Sequence, residues 1–213
     1  MDWGFCDTIR KTGHLLFPSL LRYRAANQLA EMTGDQDAAG TAATIAAAIE
    51  STLYDAASGL YWSATGVGRQ RDIWGSAFAV YCGAGCRHQD KTAAALLQRL
   101  QAGTIEQDGY IRPIATDENH SPHSAWESTA TPFNDYQNGA YWATPTGWVW
   151  YAVSLIDPAA ADALMHRFIQ HTEAGAAQGT PYEYFGQRGA SGRQYGTSAT
   201  LPYAGVINKA RVS

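Results

Sequence analysis

Two stretches of this 213-residue chain combine residue types that can do chemistry: Pro132-Phe133-Asn134-Asp135-Tyr136-Gln137-Asn138-Gly139-Ala140-Tyr141-Trp142 and, some forty residues on, Pro181-Tyr182-Glu183-Tyr184-Phe185. The first sets a carboxylate, amides and an indole side by side on what reads as a turn opening a helix. That mixture suits a sugar, whose apolar ring faces stack on aromatic platforms while its hydroxyls need fixed amide and carboxylate partners. Asp135, Gln137 and Asn138 are the candidates for hydroxyl binding, although Asp135 and Asn138 also suit capping of the helix that follows. Tyr136, Trp142 and Tyr184 are candidate ring platforms, as is Trp74, placed just after Arg71-Asp72 where another helix begins. Arg71 and Asp72 themselves fit a surface ion pair. Glu183, flanked by Tyr182 and Tyr184, is a lone carboxylate between aromatic walls and so a candidate general acid or base.

These residues need a scaffold, and apolar spacing near 3.6 dominates the chain. Phe17, Leu20, Leu21, Ala25, Leu29 and Met32 form one stripe and Ala42, Ile45, Ile49 and Leu53 a second, parted by Gly34-Asp35. Further helices are expected over 73–84 and 90–102, from about Asn138 to Ile156, from an Asp157-Pro158 start, and over 196–210. Short aromatic segments follow the second, fourth and sixth helices: Gly59-Leu60-Tyr61-Trp62, Gly109-Tyr110-Ile111-Arg112 and Thr180-Pro181-Tyr182-Glu183-Tyr184. A repeated helix pair with a decorated return loop is the pattern of an all-α toroid of helical hairpins, with short aromatic β segments in the return loops. No linker rich in Pro, Ser or charge interrupts it, so residues 1–213 read as a single domain.

At this point the residues resemble a family. FNDYQNGAYWATPTGWVWYAV is similar to the second signature of the trehalase and glucosidase group of six-hairpin glycosidases, whose fold is an (α/α)6 barrel. Tyr182-Glu183-Tyr184-Phe185 resembles the later motif whose Glu serves as general base, and DWGFCDTIRKTG resembles, more loosely, the turn that supplies the general acid. The resemblance implies an inverting glycoside hydrolase acting on an α-glucoside or related small glycoside, with Glu183 as base. For the acid, Asp7, three residues before Arg10, and Asp2, which precedes Trp3-Gly4, compete. About seven helices stand where a closed ring needs twelve, so the resemblance covers only the C-terminal part of such a barrel. The rhamnosidase group shares the barrel.

A long aperiodic loop, ATDENHSPHSAWESTATPFND, reads as a functional lid in which Trp126 and Glu127 are further candidates, Trp126 for binding and Glu127 for binding or as a second acid. Asp117, Glu118, His120 and His123 match no established metal spacing, so no metal and no cofactor is expected. His166 and His171 are expected on the exposed side of the sixth helix.

Composition narrows the function. A net charge of -4 without a basic run argues against nucleic-acid binding, and no apolar run reaches the ~20 residues a membrane span needs. The N-terminus lacks the basic start and apolar middle of a signal peptide, and localisation stays open. Cys6, Cys82 and Cys86 form no disulfide framework. A second function remains beside the hydrolase: a non-catalytic carbohydrate-binding or structural half-barrel. A sugar epimerase or isomerase on the same toroid ranks lower, since it needs paired His at the rim. An open arc exposes inner helix faces, so a homodimer that covers them is expected, with light scattering as its check.

Overall fold

A computed structural model describes residues 7–118 and 127–212; Asp2, His120, His123 and Trp126 lie outside the described residues. Seven α-helices occur among them: α1 (Leu16–Thr33), α2 (Gln36–Leu53), α3 (Ile73–Tyr81), α4 (Gln89–Gln101), α5 (Thr146–Ser154), α6 (Pro158–Ala174) and α7 (Gly196–Val212). The signals that delimit them are local. Gly34, at φ 73°, ends α1 with its N–H on the Ala30 carbonyl, and the Asp35 carboxylate accepts from the Asp37 and Ala38 N–H groups to start α2. Asp157 caps α6 in the same way, with Pro158 in its first turn.

Every residue of α3 and of α5 is buried, whereas α2, α4 and α6 bury one stripe each. Contacts run α1 to α3, α3 to α5 and α5 to α7, while α2, α4 and α6 back α1, α3 and α5 from outside. The odd-numbered helices are thus consecutive inner staves and the even-numbered ones the outer layer, the alternation of an α/α toroid. It is an arc, with α1 and α7 at its ends. There Leu29 and Met32 of α1 are exposed, as is Tyr203 of α7. No described helix is long and apolar enough to cross a membrane.

Among the described residues nine short strands tie the return loops together. β1 (Ile9–Arg10) pairs with β6 (Ser128–Thr129), and β2 (Tyr54–Asp55) with β3 (Leu60–Tyr61). β4 (Glu106–Gln107), β5 (Tyr110–Ile111), β7 (Tyr141–Trp142), β8 (Tyr184–Gly186) and β9 (Gly189–Ser191) form one antiparallel sheet in that order. The aromatic segments expected in the return loops are therefore the strands β3, β5 and β8. Register sorts their side chains onto two faces, because successive residues of a strand point to opposite sides. Trp142 lies opposite Tyr184 and Tyr141 opposite Phe185. On one face Trp142 stacks on Tyr184, centroids 5.2 Å apart, and meets Trp74 edge-on. On the other, Phe185 packs with Tyr141, Tyr110 and His171 against α6.

Three expectations are corrected. The fifth helix begins at Thr146 rather than near Asn138, because Gly139 takes φ 109° and residues 141–142 pair as a strand. The third ends at Tyr81, three residues early, at a turn containing Gly83 at φ 76°. His171 does not face solvent as His166 does: it lies under the sheet, edge-on to Tyr110.

Candidate functional site

The site is built on the loop 134–139. Asn134 and Tyr136 adopt left-handed φ values of 60° and 45°, and Gly139 sits at 109°. A bulky residue in that region is a genuine outlier, held only where its surroundings over-determine it. Here they do. The Trp142 indole N–H donates to the Tyr136 carbonyl at 3.1 Å, and the Ala140 N–H donates to the same oxygen at 3.0 Å. The Tyr136 ring is wedged edge-on against both Trp142 and Tyr184 at 5.0 Å. Arg112, buried beneath the loop, donates to Asn134 Oδ1 at 2.9 Å and stacks its guanidinium over Tyr141.

Glu183 stands just before β8. Its N–H is shared between the Ser191 and Gly192 carbonyls, and its side chain lies against Gly192, where a Cβ would come within 2.8 Å of Glu183 Oε2. The hairpin β8–β9 is bound in turn to the loop: the Gln187 N–H donates to the Asn134 carbonyl at 2.9 Å, and Arg188 Nε lies 3.2 Å from Asp135 Oδ2. From below, the Tyr182 N–H donates to the Tyr110 hydroxyl at 2.9 Å.

Asp7 arrives from the opposite end of the chain. It is exposed, and its N–H donates to Gln137 Oε1 at 2.8 Å. Burial raises the Glu183 pKa above the ordinary glutamate value, and the Asp7 charge raises it further. The Tyr136 phenol feels both carboxylates. Burial first, then Asp7 and Glu183, and after them Tyr195 and Tyr184, push it up to about 12. Asp7, Tyr136, Glu183, Tyr184 and Tyr195, from four separate segments, thus bear on one another electrostatically.

The other expected residues divide by burial. Trp74 is 2% exposed, donates its indole N–H to the Ile111 carbonyl and backs Trp142, so it presents no open ring face. Trp142, 3% exposed, supports Tyr136 and Tyr184 from behind. Asn138 is buried and donates from Nδ2 to the Thr131 carbonyl, and neither it nor Asp135 caps a helix, since none begins there. Glu127 accepts from the Thr12 hydroxyl at 2.8 Å and lies 3.8 Å from Arg10, fastening the N-terminal strand. Arg71 and Asp72 do not form a surface pair. Arg71 bonds to Asp55 at 2.9 Å, while Asp72, buried, accepts from the Gly75 N–H to cap α3. Among the described residues no group of three His, Cys, Asp or Glu side chains is arranged to hold a metal ion.

Reading the sequence missed Tyr195, Thr8, Arg112 and Arg188. Tyr195 had a faint signal, an aromatic just before the Gly196 that opens α7. The others act through contacts more than twenty residues distant in the chain.

No protein-family model matches the chain, and no curated protein does. Solved structures do. An uncharacterized conserved protein from Thermus thermophilus superimposes with TM-score 0.57 at 16% identity over 89% of this chain and 47% of that one. The GH63 mannosylglycerate hydrolase of the same organism, solved in complex with glucose, does so with TM-score 0.57 at 19% identity, over 87% of this chain and 46% of that one. At such identities the likeness shows the fold alone: an α/α toroid of helical hairpins. The chain spans under half the length of either neighbour.

Proposed function

We propose that this chain carries the acid–base pair of an inverting glycoside hydrolase. One observation supports it above the others: Asp7 and Glu183, 176 residues apart in sequence, interact electrostatically beside the aromatic cluster of Tyr136 and Tyr184. Hydrolysis needs two carboxyl groups whose environments separate their pKa values. In the reading that follows the resemblance, Asp7 gives its proton to the glycosidic oxygen while Glu183 takes a proton from an attacking water. The C–O bond to the leaving group breaks, the water oxygen bonds the anomeric carbon from the opposite face, and one water is consumed. Afterwards Glu183 carries the proton and Asp7 is ionised, and exchange with solvent resets the pair. A small glucoside is the substrate class favoured by the resemblance and by likeness to a hydrolase that holds glucose.

The electrostatics favour a second reading in which the roles are exchanged. Burial and the Asp7 charge both make Glu183 hold its proton, the property of a general acid, whereas Asp7 is exposed. One experiment separates these readings from each other and from a non-catalytic half-barrel. Sugar release from aryl glycosides and disaccharides is measured for the wild type, Glu183→Gln and Asp7→Asn, with and without azide. The variant lacking the base is rescued by azide, and the variant lacking the acid retains turnover only on substrates with activated leaving groups. Absence of release from folded wild-type protein would refute both hydrolase readings.

A further inference from the structure

The Gln137 side chain, expected to meet a sugar, has its oxygen turned to the chain's own N-terminal segment. Gln137 is 4% exposed, and Oε1 accepts from the Asp7 N–H at 2.8 Å, the Thr8 N–H at 3.1 Å and the Thr8 hydroxyl at 3.1 Å. Two successive N–H groups converging on one oxygen fix the orientation of the peptide between them, and with it the direction in which the side chain leaves the Asp7 backbone. Just beyond, the Ala130 N–H donates to the Thr8 carbonyl at 3.0 Å and β1 pairs with β6, so the segment is anchored from residue 8 onward. At Asp7 itself the backbone is held by Gln137.

The same loop also holds the other carboxylate. Its Asn134 carbonyl and Asp135 carboxylate bind Gln187 and Arg188 of the β8–β9 hairpin, and its Tyr136 packs on Tyr184, next to Glu183. The left-handed φ values of Asn134 and Tyr136 allow this division, because they turn the chain sharply enough for residues 134–136 to face the hairpin while residue 137 faces the N-terminal segment.

We propose that Gln137 is a positioning residue that places the Asp7 carboxyl opposite Glu183, so that the loop 134–139 sets the separation of the pair. The inference rests on the hydrolase reading for its meaning but not for its test. Carboxyl separation decides whether a water fits between the groups, and a displacement of ~1 Å lowers turnover on the order of 100-fold.

The test is the titration of the Glu183 carboxyl, followed by 13C NMR in the full chain labelled at glutamate. Asp7→Asn lowers the Glu183 pKa by removing the neighbouring negative charge. Gln137→Met, which keeps the side-chain length and removes the acceptor, lowers it by the same amount, and the double variant lowers it no further. Gln137→Asn, which keeps the amide but withdraws it by one methylene, reproduces the shift should the Met variant not fold. A wild-type titration in folded Gln137 variants would overturn the proposal, and so would additive shifts in the double variant. Should the wild type release no sugar while the titrations behave as stated, the hydrolase reading fails and the positioning role stands. Sugar release by the wild type with unmoved titrations would instead overturn the positioning role and leave the hydrolase reading in place.

Discussion

Two glycines of one hairpin offer a controlled perturbation of Glu183. Gly192 and Gly189 both lie in the left-handed region, at φ 66° and 94°, so alanine at either adds backbone strain of about 1–2 kcal/mol. For a domain of this size each kcal/mol lowers Tm by roughly 2–4 °C, so both variants should melt several degrees early, Gly192→Ala by the larger amount. They differ in what the new methyl group meets. At Gly189 nothing lies within 4 Å. At Gly192 the methyl would stand 2.8 Å from Glu183 Oε2 and closer still to its Cβ, whereas ordinary contact begins at 3.4 Å. The Glu183 carboxylate must retreat by about half an ångström and its Cβ by more. A misplacement approaching 1 Å lowers turnover on the order of 100-fold, or about 2.7 kcal/mol of transition-state stabilisation. Gly192→Ala should therefore lose kcat on the order of 100-fold beyond any loss in Gly189→Ala, as measured on aryl glycosides below both melting temperatures. Equal kcat in the two variants would refute the placement of catalysis at Glu183.

Glu183→Gln should abolish turnover of glycosides with unactivated leaving groups yet stabilise the protein near neutral pH. Its folded-state pKa lies above the ordinary 4.5, so its favourable contribution is present below that value and lost as pH rises through the raised pKa. The variant should match the wild type in Tm at pH about 3 and exceed it at pH about 7; a lower Tm at neutral pH would show that the carboxylate is held by favourable bonds. Gly109→Ala should destabilise by about 3 kcal/mol or more, because φ is 83° and the added Cβ falls within 2.5 Å of the Phe168 backbone in α6. A denaturant midpoint within error of the wild type would contradict that packing, on which Tyr110 and through it Tyr182 depend.

Helix existence was legible in the sequence because its signals are local. The Gly34-Asp35 break, the Asp157-Pro158 start and the stripes of α2, α4 and α6 each depend on residues within a turn or two of one another. So was the hairpin periodicity that the toroid repeats. What the sequence alone misassigned is what distant segments decide. Asn138 looked like the start of a helix, but pairing of β7 with β5 and β8 claims the residues after it, and only the assembled sheet sets that register. Trp74 and Trp142 looked like platforms; burial by neighbours from other hairpins makes Trp142 the support for Tyr136 and Tyr184, and Trp74 the backing of Trp142. Gln137 could not be seen to hold Asp7 from 130 residues away. Local propensity acts over a few residues through backbone geometry, whereas burial and strand register arise only when the arc of helices brings remote loops together.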